Sequence, residues 1–201
     1  PMAAALALYL LIRRSVLTHL PEYQIPPIDN PIAHSPVIER VATAFAVLAK
    51  YIVQLFFPLR LASDYSYNEI PAVSTFLSPG TLLGVSLFAG LIALAIAGRR
   101  KNHLIPFAVI LFLFPYIIIS NLFFPIGTIM GERLMYLPIA GFALGAALLI
   151  GPFLRKRNVW IIGAFSVVLF LYCARTVTRN PHWNNDELLF SIDVKTVPNN
   201  T

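Results

Sequence analysis

A chain of 201 residues that is 58% hydrophobic and only 12% charged is too apolar for an ordinary soluble domain, in which about a quarter of residues are charged. It reads as an integral membrane protein, so its net charge of +6 is first a matter of membrane topology, and nucleic acid is not expected as a partner. The single cysteine, Cys173, excludes an internal disulfide and leaves the redox compartment open.

Taken in order, residues 1–12 are apolar, with no basic stretch before them and no small-residue cleavage site after them. They read as the tail of a span whose start is missing, not as a signal peptide. Both chain ends are expected to be cuts in a longer protein. The stretch His19–Ser35, "HLPEYQIPPIDNPIAHS", holds prolines at 21, 26, 27 and 31, with Pro36 next, and so predicts an extended loop. His19 and His34 have no cysteine or carboxylate partner at ligand spacing, so they read as loop residues and no metal is expected.

Residues 41–58 support two readings. Glu39, Thr43, Lys50 and Gln54 recur near whole helical turns and form one polar stripe. The stripe either lines a cavity in a spanning helix or faces water from a helix lying on the membrane. Four stronger runs follow at 81–98, 104–123, 134–154 and 159–174, each near the roughly 20 apolar residues a span needs. The basic clusters "RRK" (Arg99, Arg100, Lys101) and "RKR" (Arg155, Lys156, Arg157) lie in short loops between spans, which predicts that both are cytoplasmic. Alternation then puts 60–78, 125–133 and the tail after Ala174 on the outer or lumenal side. Arg175 and Arg179 in that tail argue weakly the other way. The tail, "NPHWNNDELLFSIDVKTVPNN", predicts an amphipathic helix. It has a capping-box pattern at Asn184 and Glu187, a shared face of Leu188, Leu189, Ile192 and Thr196, and a stop at Pro198. Asn199, Asn200 and Thr201 form a glycosylation triplet that matters only in a eukaryotic lumen.

Three features should share the outer face: "LRLASDYSYNEIP" (59–71), "SNLFFPIGT" (120–128) and the pair Glu132–Arg133 in "IMGERLMYLP". On a helix, adjacent residues point about 100° apart, so the pair cannot satisfy itself and each member needs another partner. Arginine at a helix start opposes the helix dipole, but it grips phosphate with a planar fork. Arg133 is therefore either an interfacial anchor or a phosphate ligand.

The stretches "FFPLRLASDYSYNEIP", "SNLFFPIGTIMGERLMYLP" and "RNPHWNNDELLF…VPNN", with the early "DNP" (29–31), together resemble the transmembrane and tetratricopeptide-repeat O-mannosyltransferase family. The resemblance runs from about Asp29 to Thr201, and the "GERLMYLP" block is its most specific part. It implies an all-α polytopic membrane protein with a GT-C-like fold. Residues 1–174 would be a multispan fragment, and 175–201 a lumenal tail opening a helical-repeat region. It implies transfer of a sugar, mannose in the eukaryotic family, from a polyprenyl-phosphate donor to serine or threonine of a protein held by the repeats. The lipid-linked sugar is a substrate, and no tightly bound cofactor is implied. The compartment would be the endoplasmic reticulum in a eukaryote, or the plasma or inner membrane in a prokaryote. Enzymes of this type carry their catalytic carboxylate in a first outer loop that this chain does not contain, so no catalytic residue is expected in this segment.

From position and chemistry, Arg133 is the expected ligand of the lipid phosphate, with Lys50 or Arg60 as a second cation. Glu132, Asp64, Tyr65, Asn121 and Tyr136 should line the cavity. The alternative is a membrane-anchored repeat scaffold without catalysis. A transporter would need polar residues and broken helices at mid-membrane, where Lys50 is nearly the only charge.

Overall fold

The computed structural model describes residues 2–17, 24–65 and 67–199. Residues 18–23, with His19, and the last two residues of the Asn199–Thr201 triplet lie outside them. Every regular element among the described residues is helical, so the chain is an all-α membrane protein. The helices are α1 (Met2–Leu17), α2 (Val37–Phe56), α3 (Pro79–Gly98), α4 (Leu104–Ile119), α5 (Pro138–Arg155), α6 (Val159–Arg179) and α7 (Asp186–Thr196), with short 3-10 turns between some of them. Three are long and apolar enough to cross a membrane: α3, α5, and α6 with the turn that continues it to Trp183. The 16-residue α4 is apolar but shorter. The side chains of α1 are exposed from residue 4 to 16.

The antiparallel sequence α3, α4, α5, α6 leaves the two basic loops at one end of the bundle and the segments 57–78, 120–137 and 180–199 at the other. Small residues and single hydroxyls hold the helices close. Ser78 caps α3 by accepting from the Thr81 N–H, and the Thr81 hydroxyl donates to the Ala42 carbonyl on α2 at 2.9 Å. A Cβ on Gly84 would lie 1.8 Å from the Phe45 carbonyl oxygen, and one on Gly141 2.4 Å from the Phe112 nitrogen. Glycine is required where these backbones meet. The Tyr116 hydroxyl donates to the Ala44 carbonyl, so α4 also clasps α2. The core lies between α2, α4 and the loops at the second end; it includes Leu48, Tyr51, Tyr65, Phe112, Tyr116, Ile129 and Met130.

The polar stripe of α2 is partly covered by the loop that follows the helix. Buried Thr43 accepts from the Val73 N–H, half-buried Gln54 donates to the Tyr65 hydroxyl, and the half-buried Lys50 ammonium lies 5.0 Å from the Tyr65 ring centre.

Helix ends depart from the apolar runs in three places. α4 stops at Ile119, because Asn121 turns the chain with a left-handed φ of 59°, which asparagine tolerates better than its apolar neighbours would. α5 begins only at Pro138, because Glu132–Tyr136 is a 3-10 turn and proline suits a first helical position. α6 runs past Ala174 to Arg179, for polar partners await it there.

Candidate functional site

The loops at the second end are tied together by buried asparagines. Asn30, fully buried, donates to the Asn121 side-chain oxygen at 2.9 Å and to the Ile126 carbonyl at 2.7 Å, and accepts from the Ile32 N–H. Asn121 donates to the Thr128 carbonyl at 3.1 Å and accepts from the Ile126 N–H at 2.8 Å. The strand-like segment they fix, 128–131, is pinned from three sides. The Thr128 hydroxyl donates to Asp64, the Tyr65 N–H donates to the Met130 carbonyl, and the Tyr51 hydroxyl bonds both the N–H and the carbonyl of Gly131. This clamp delivers the next residue, Glu132, to a fixed place.

Glu132 accepts from the Tyr65 hydroxyl at 3.1 Å and faces the Arg179 guanidinium, with Nη2 at 3.6 Å. Burial pushes the Glu132 carboxyl up to about 7; Arg179, the Tyr65 hydroxyl and the Ala62 N–H pull against that rise, and Asp193 adds to it. The Tyr65 hydroxyl is itself driven up by burial and then by Glu132, so it remains a neutral donor. Arg179 is 8% exposed, and its Nη2 has no hydrogen-bond partner among the described residues.

Glu132 and Arg179 border a cavity of about 220 Å³ whose walls also include Leu61, Tyr172, Arg175 and Trp183. Tyr172, Arg175, Thr176 and Arg179 recur at i, i+3, i+4 and i+7 on α6 and share one face. The upper part of that face caps α2: the Tyr172 hydroxyl donates to the Leu55 carbonyl at 2.6 Å, and Arg175 donates to the carbonyls of Pro58 and Leu59. Those carbonyls follow the last turn of a helix, where a cation is favoured. On the other side of Leu55 and Phe56, an apolar groove of about 500 Å³ runs between α2, α3, α4 and α5, past Leu91, Phe112 and Phe142. The cationic cavity, walled by Pro58, and the apolar groove, walled by Leu55 and Phe56, therefore lie to either side of the chain at the end of α2.

Of the residues expected at the site, only Glu132 lines this cavity; Tyr65 stands behind it as its hydrogen-bond donor, with Lys50 over the Tyr65 ring, and Asp64 is turned to the Thr128 hydroxyl. Asn121 is buried in the clamp and not in the cavity wall. Arg133, Arg60 and Tyr136 are exposed and do not line the cavity; Tyr136 keeps 81% of its surface. The cations that do line it, Arg175 and Arg179, entered the sequence reading only as a weak topology signal. Their spacing from Tyr172 was the available clue, hidden because the apolar run ends at Ala174. Among the described residues, no three histidine, cysteine or acidic side chains gather as a metal site.

The tail helix docks against the same loops. Its cap is Asn185, one residue later than the capping-box pattern suggests; Asn184 is spent in the preceding turn, and Asn185 accepts from the Leu188 N–H at 2.7 Å. The inward face is Leu189, Ile192, Asp193 and Thr196, with Leu188 left exposed. Asp193, 5% exposed, accepts from both the N–H and the hydroxyl of Ser63.

Comparison with known proteins bears on this arrangement. Residues 18–92 match the family described as "Protein O-mannosyl-transferase TMTC, DUF1736". Mouse protein O-mannosyl-transferase TMTC1 is 31% identical over 182 residues, 86% of this chain and 19% of the relative. Mouse protein O-mannosyl-transferase TMTC3 is 31% identical over 180 residues, again 86% of this chain and 19% of the relative. The chain belongs to the TMTC family. More distant TMTC proteins align over the same region, as with Xenopus laevis protein O-mannosyl-transferase tmtc2, 24% identical over 85% of this chain and 28% of the relative. The chain thus spans about a fifth to a quarter of the length of the TMTC relatives it matches. No solved structure matches it.

Proposed function

We propose that this chain forms the donor-binding part of a membrane protein O-mannosyltransferase of GT-C type, acting at the outer or lumenal face. The observation that carries the reading is Arg179: a nearly buried guanidinium whose Nη2 makes no hydrogen bond among the described residues and has only Glu132 at ion-pair distance there, in a cavity close to an apolar groove between helices. That juxtaposition suits an amphiphile with an anionic head and an apolar tail, such as a polyprenyl-phosphate sugar. When an acceptor hydroxyl attacks the anomeric carbon, the bond from that carbon to the phosphate oxygen breaks and negative charge grows on the phosphate. Fixed cations at that point lower the barrier without having to reorganise. Arg179 and Arg175 take this role, and Trp183 and Tyr172 wall the head group. Arg133, exposed beside Glu132, would act at the rim. The α7 helix begins the repeat region that presents the protein acceptor, clamped to the donor end through Asp193 and Ser63.

The test is donor-dependent sugar transfer by the full-length protein in membranes, with insertion and expression matched. Arg179→Ala is expected to lower transfer by about 10²–10³-fold, the usual cost of removing one charge-stabilising donor. Arg179→Lys should recover only part of it, and Arg133→Ala should stay within a few-fold of wild type. Wild-type transfer by correctly inserted Arg179→Ala would overturn the assignment.

A further inference from the structure

Glu132 faces the guanidinium that the donor phosphate would need. The carboxylate lies 3.6 Å from Arg179 Nη2, at ion-pair distance but beyond a hydrogen bond. It borders the same cavity as Arg175 and Arg179. A phosphate oxygen reaching Arg179 must therefore come close to Glu132. Two anions a few ångströms apart in a partly desolvated site cannot both keep full charge cheaply. One of them leaves or takes up a proton. Glu132 cannot swing far, for the turn that carries it is held by the Tyr51 clamp on Gly131 and by the Tyr65 hydroxyl.

Resting on the donor-site reading above, we propose that Glu132 is a stand-in counter-ion for Arg179 that is neutralised by a proton when an anionic phosphodiester enters the cavity, so that donor binding and proton uptake are coupled. The carboxyl is poised for this, since burial already holds it near 7. The surrounding groups act in both directions: burial and Asp193 favour the neutral acid, and Arg179, the Tyr65 hydroxyl and the Ala62 N–H favour the carboxylate. Tyr65 faces it from the loop after α2, and Tyr51 from α2, with Lys50 of α2 behind Tyr65 and Asp64 beyond Tyr51. Arg175 and Arg179 face it from α6, and Asp193 from α7. Asp193 holds the N–H and hydroxyl of Ser63 through one oxygen and does not line the cavity, and the tyrosines stay protonated; Glu132 is the acid in the cavity wall. His182 lies in the turn after α6, and its Nδ1 is buried without a hydrogen-bond partner among the described residues, so a His182 variant serves as a control.

The geometry assigns Glu132 a role distinct from a general base. An acceptor hydroxyl that displaces the phosphate by inversion attacks from the face of the sugar opposite to it. Glu132 stands beside Arg179, the cation that would hold the phosphate, and so on the leaving-group side. It is a positioning residue that keeps Arg179 aimed into the cavity while the site is empty.

The test measures binding of a short-chain prenyl phosphoryl hexose, a phosphodiester that keeps one charge throughout the range, to the full-length protein in neutral-lipid nanodiscs. Titration calorimetry at pH 6 and pH 8, in buffers of different ionisation enthalpy, reads affinity and proton uptake together. The expected result is a Kd about tenfold weaker at pH 8 than at pH 6, with uptake of up to one proton near pH 8. Glu132→Gln should bind at the tight limit with no pH dependence and no uptake, and His182→Gln should retain both. Because proton uptake is read on the wild-type protein, a variant that failed to fold would not blunt the test. Equal affinity at both pH values with no proton uptake, while binding still depends on Arg179, overturns the coupling and leaves the donor-site reading standing. Loss of the pH dependence in His182→Gln but not Glu132→Gln also overturns it. No saturable binding at any pH sinks both.

Discussion

Replacing Asn121 with alanine tests whether the asparagine clamp, and not the greasy packing around it, holds the site together. Asn121 is 1% exposed, and its side chain receives the Ile126 N–H and the Asn30 amide while donating to the Thr128 carbonyl. Alanine removes all of these. The Ile126 N–H loses its partner altogether, at a cost of about 1–3 kcal/mol, whereas Asn30 keeps the Ile126 carbonyl and Thr128 keeps a long bond from Asn30. The left-handed φ of 59° adds about 1 kcal/mol for a residue with a Cβ and no local hydrogen bond. The sum is roughly 3 kcal/mol, or about 6–12 °C in thermal midpoint for a unit of this size. Asn121→Gly removes the backbone part and should recover about 1 kcal/mol relative to alanine. The assay is thermal unfolding in nanodiscs of Asn121→Ala, Asn30→Ala and the double variant. Because the two amides bond each other, the double variant should lose less than the sum of the singles, with a coupling of about 0.5–3 kcal/mol. A loss below about 1 kcal/mol for Asn121→Ala, or strict additivity, would show that the clamp is incidental.

Two further perturbations address the bundle and the tail. Gly141→Ala places a methyl 2.4 Å from the Phe112 nitrogen and 2.6 Å from the Ala108 carbonyl oxygen, backbone atoms that cannot rotate away. It should cost about 1–3 kcal/mol, while Gly145→Ala, with nothing within 4 Å, should be close to neutral; equal thermal midpoints for the two would refute the close α4–α5 approach. Asp193→Ala deprives the Ser63 N–H and hydroxyl of a charged acceptor worth about 1.5–3 kcal/mol per bond. Hydrogen exchange across 186–197 and at 62–64 should accelerate by at least tenfold, and unchanged protection of α7 would mean that the helix does not depend on this latch.

Much of the fold was legible because membrane helices announce themselves by composition. The runs at 81–98 and 159–174 correspond to α3 and most of α6, and the basic loops lie together at one end of the bundle, as alternation requires. The errors share a cause. Apolarity says that a segment avoids water, not that it is helical, so the apolar residues 120–123 and 134–137 were read into spans although the backbone turns there. The cap of α7 slipped by one residue because Asn184 and Asn185 are chemically alike, and only the backbone of the preceding turn separates them. The two readings of the α2 stripe could not be decided from periodicity, since the loop that covers it comes from later in the chain.

The same limit explains the charge pair in "GERLMYLP". Sequence adjacency made Glu132 and Arg133 look like one feature, but a 3-10 turn sends consecutive residues about 120° apart, and only one of them can face inward. Gly131 fits under the Tyr51 hydroxyl, Glu132 enters the cavity, Met135 joins the core and Pro138 starts α5, while Arg133 and Tyr136 stay outside. The cation that completes the site is Arg179, far along the chain and on another helix. An arginine and a tyrosine left exposed beside the start of a span are what an interfacial anchor requires. The turn therefore divides its charges: Glu132 lines the cavity with Arg179, and Arg133 and Tyr136 are left on the outside of the same turn.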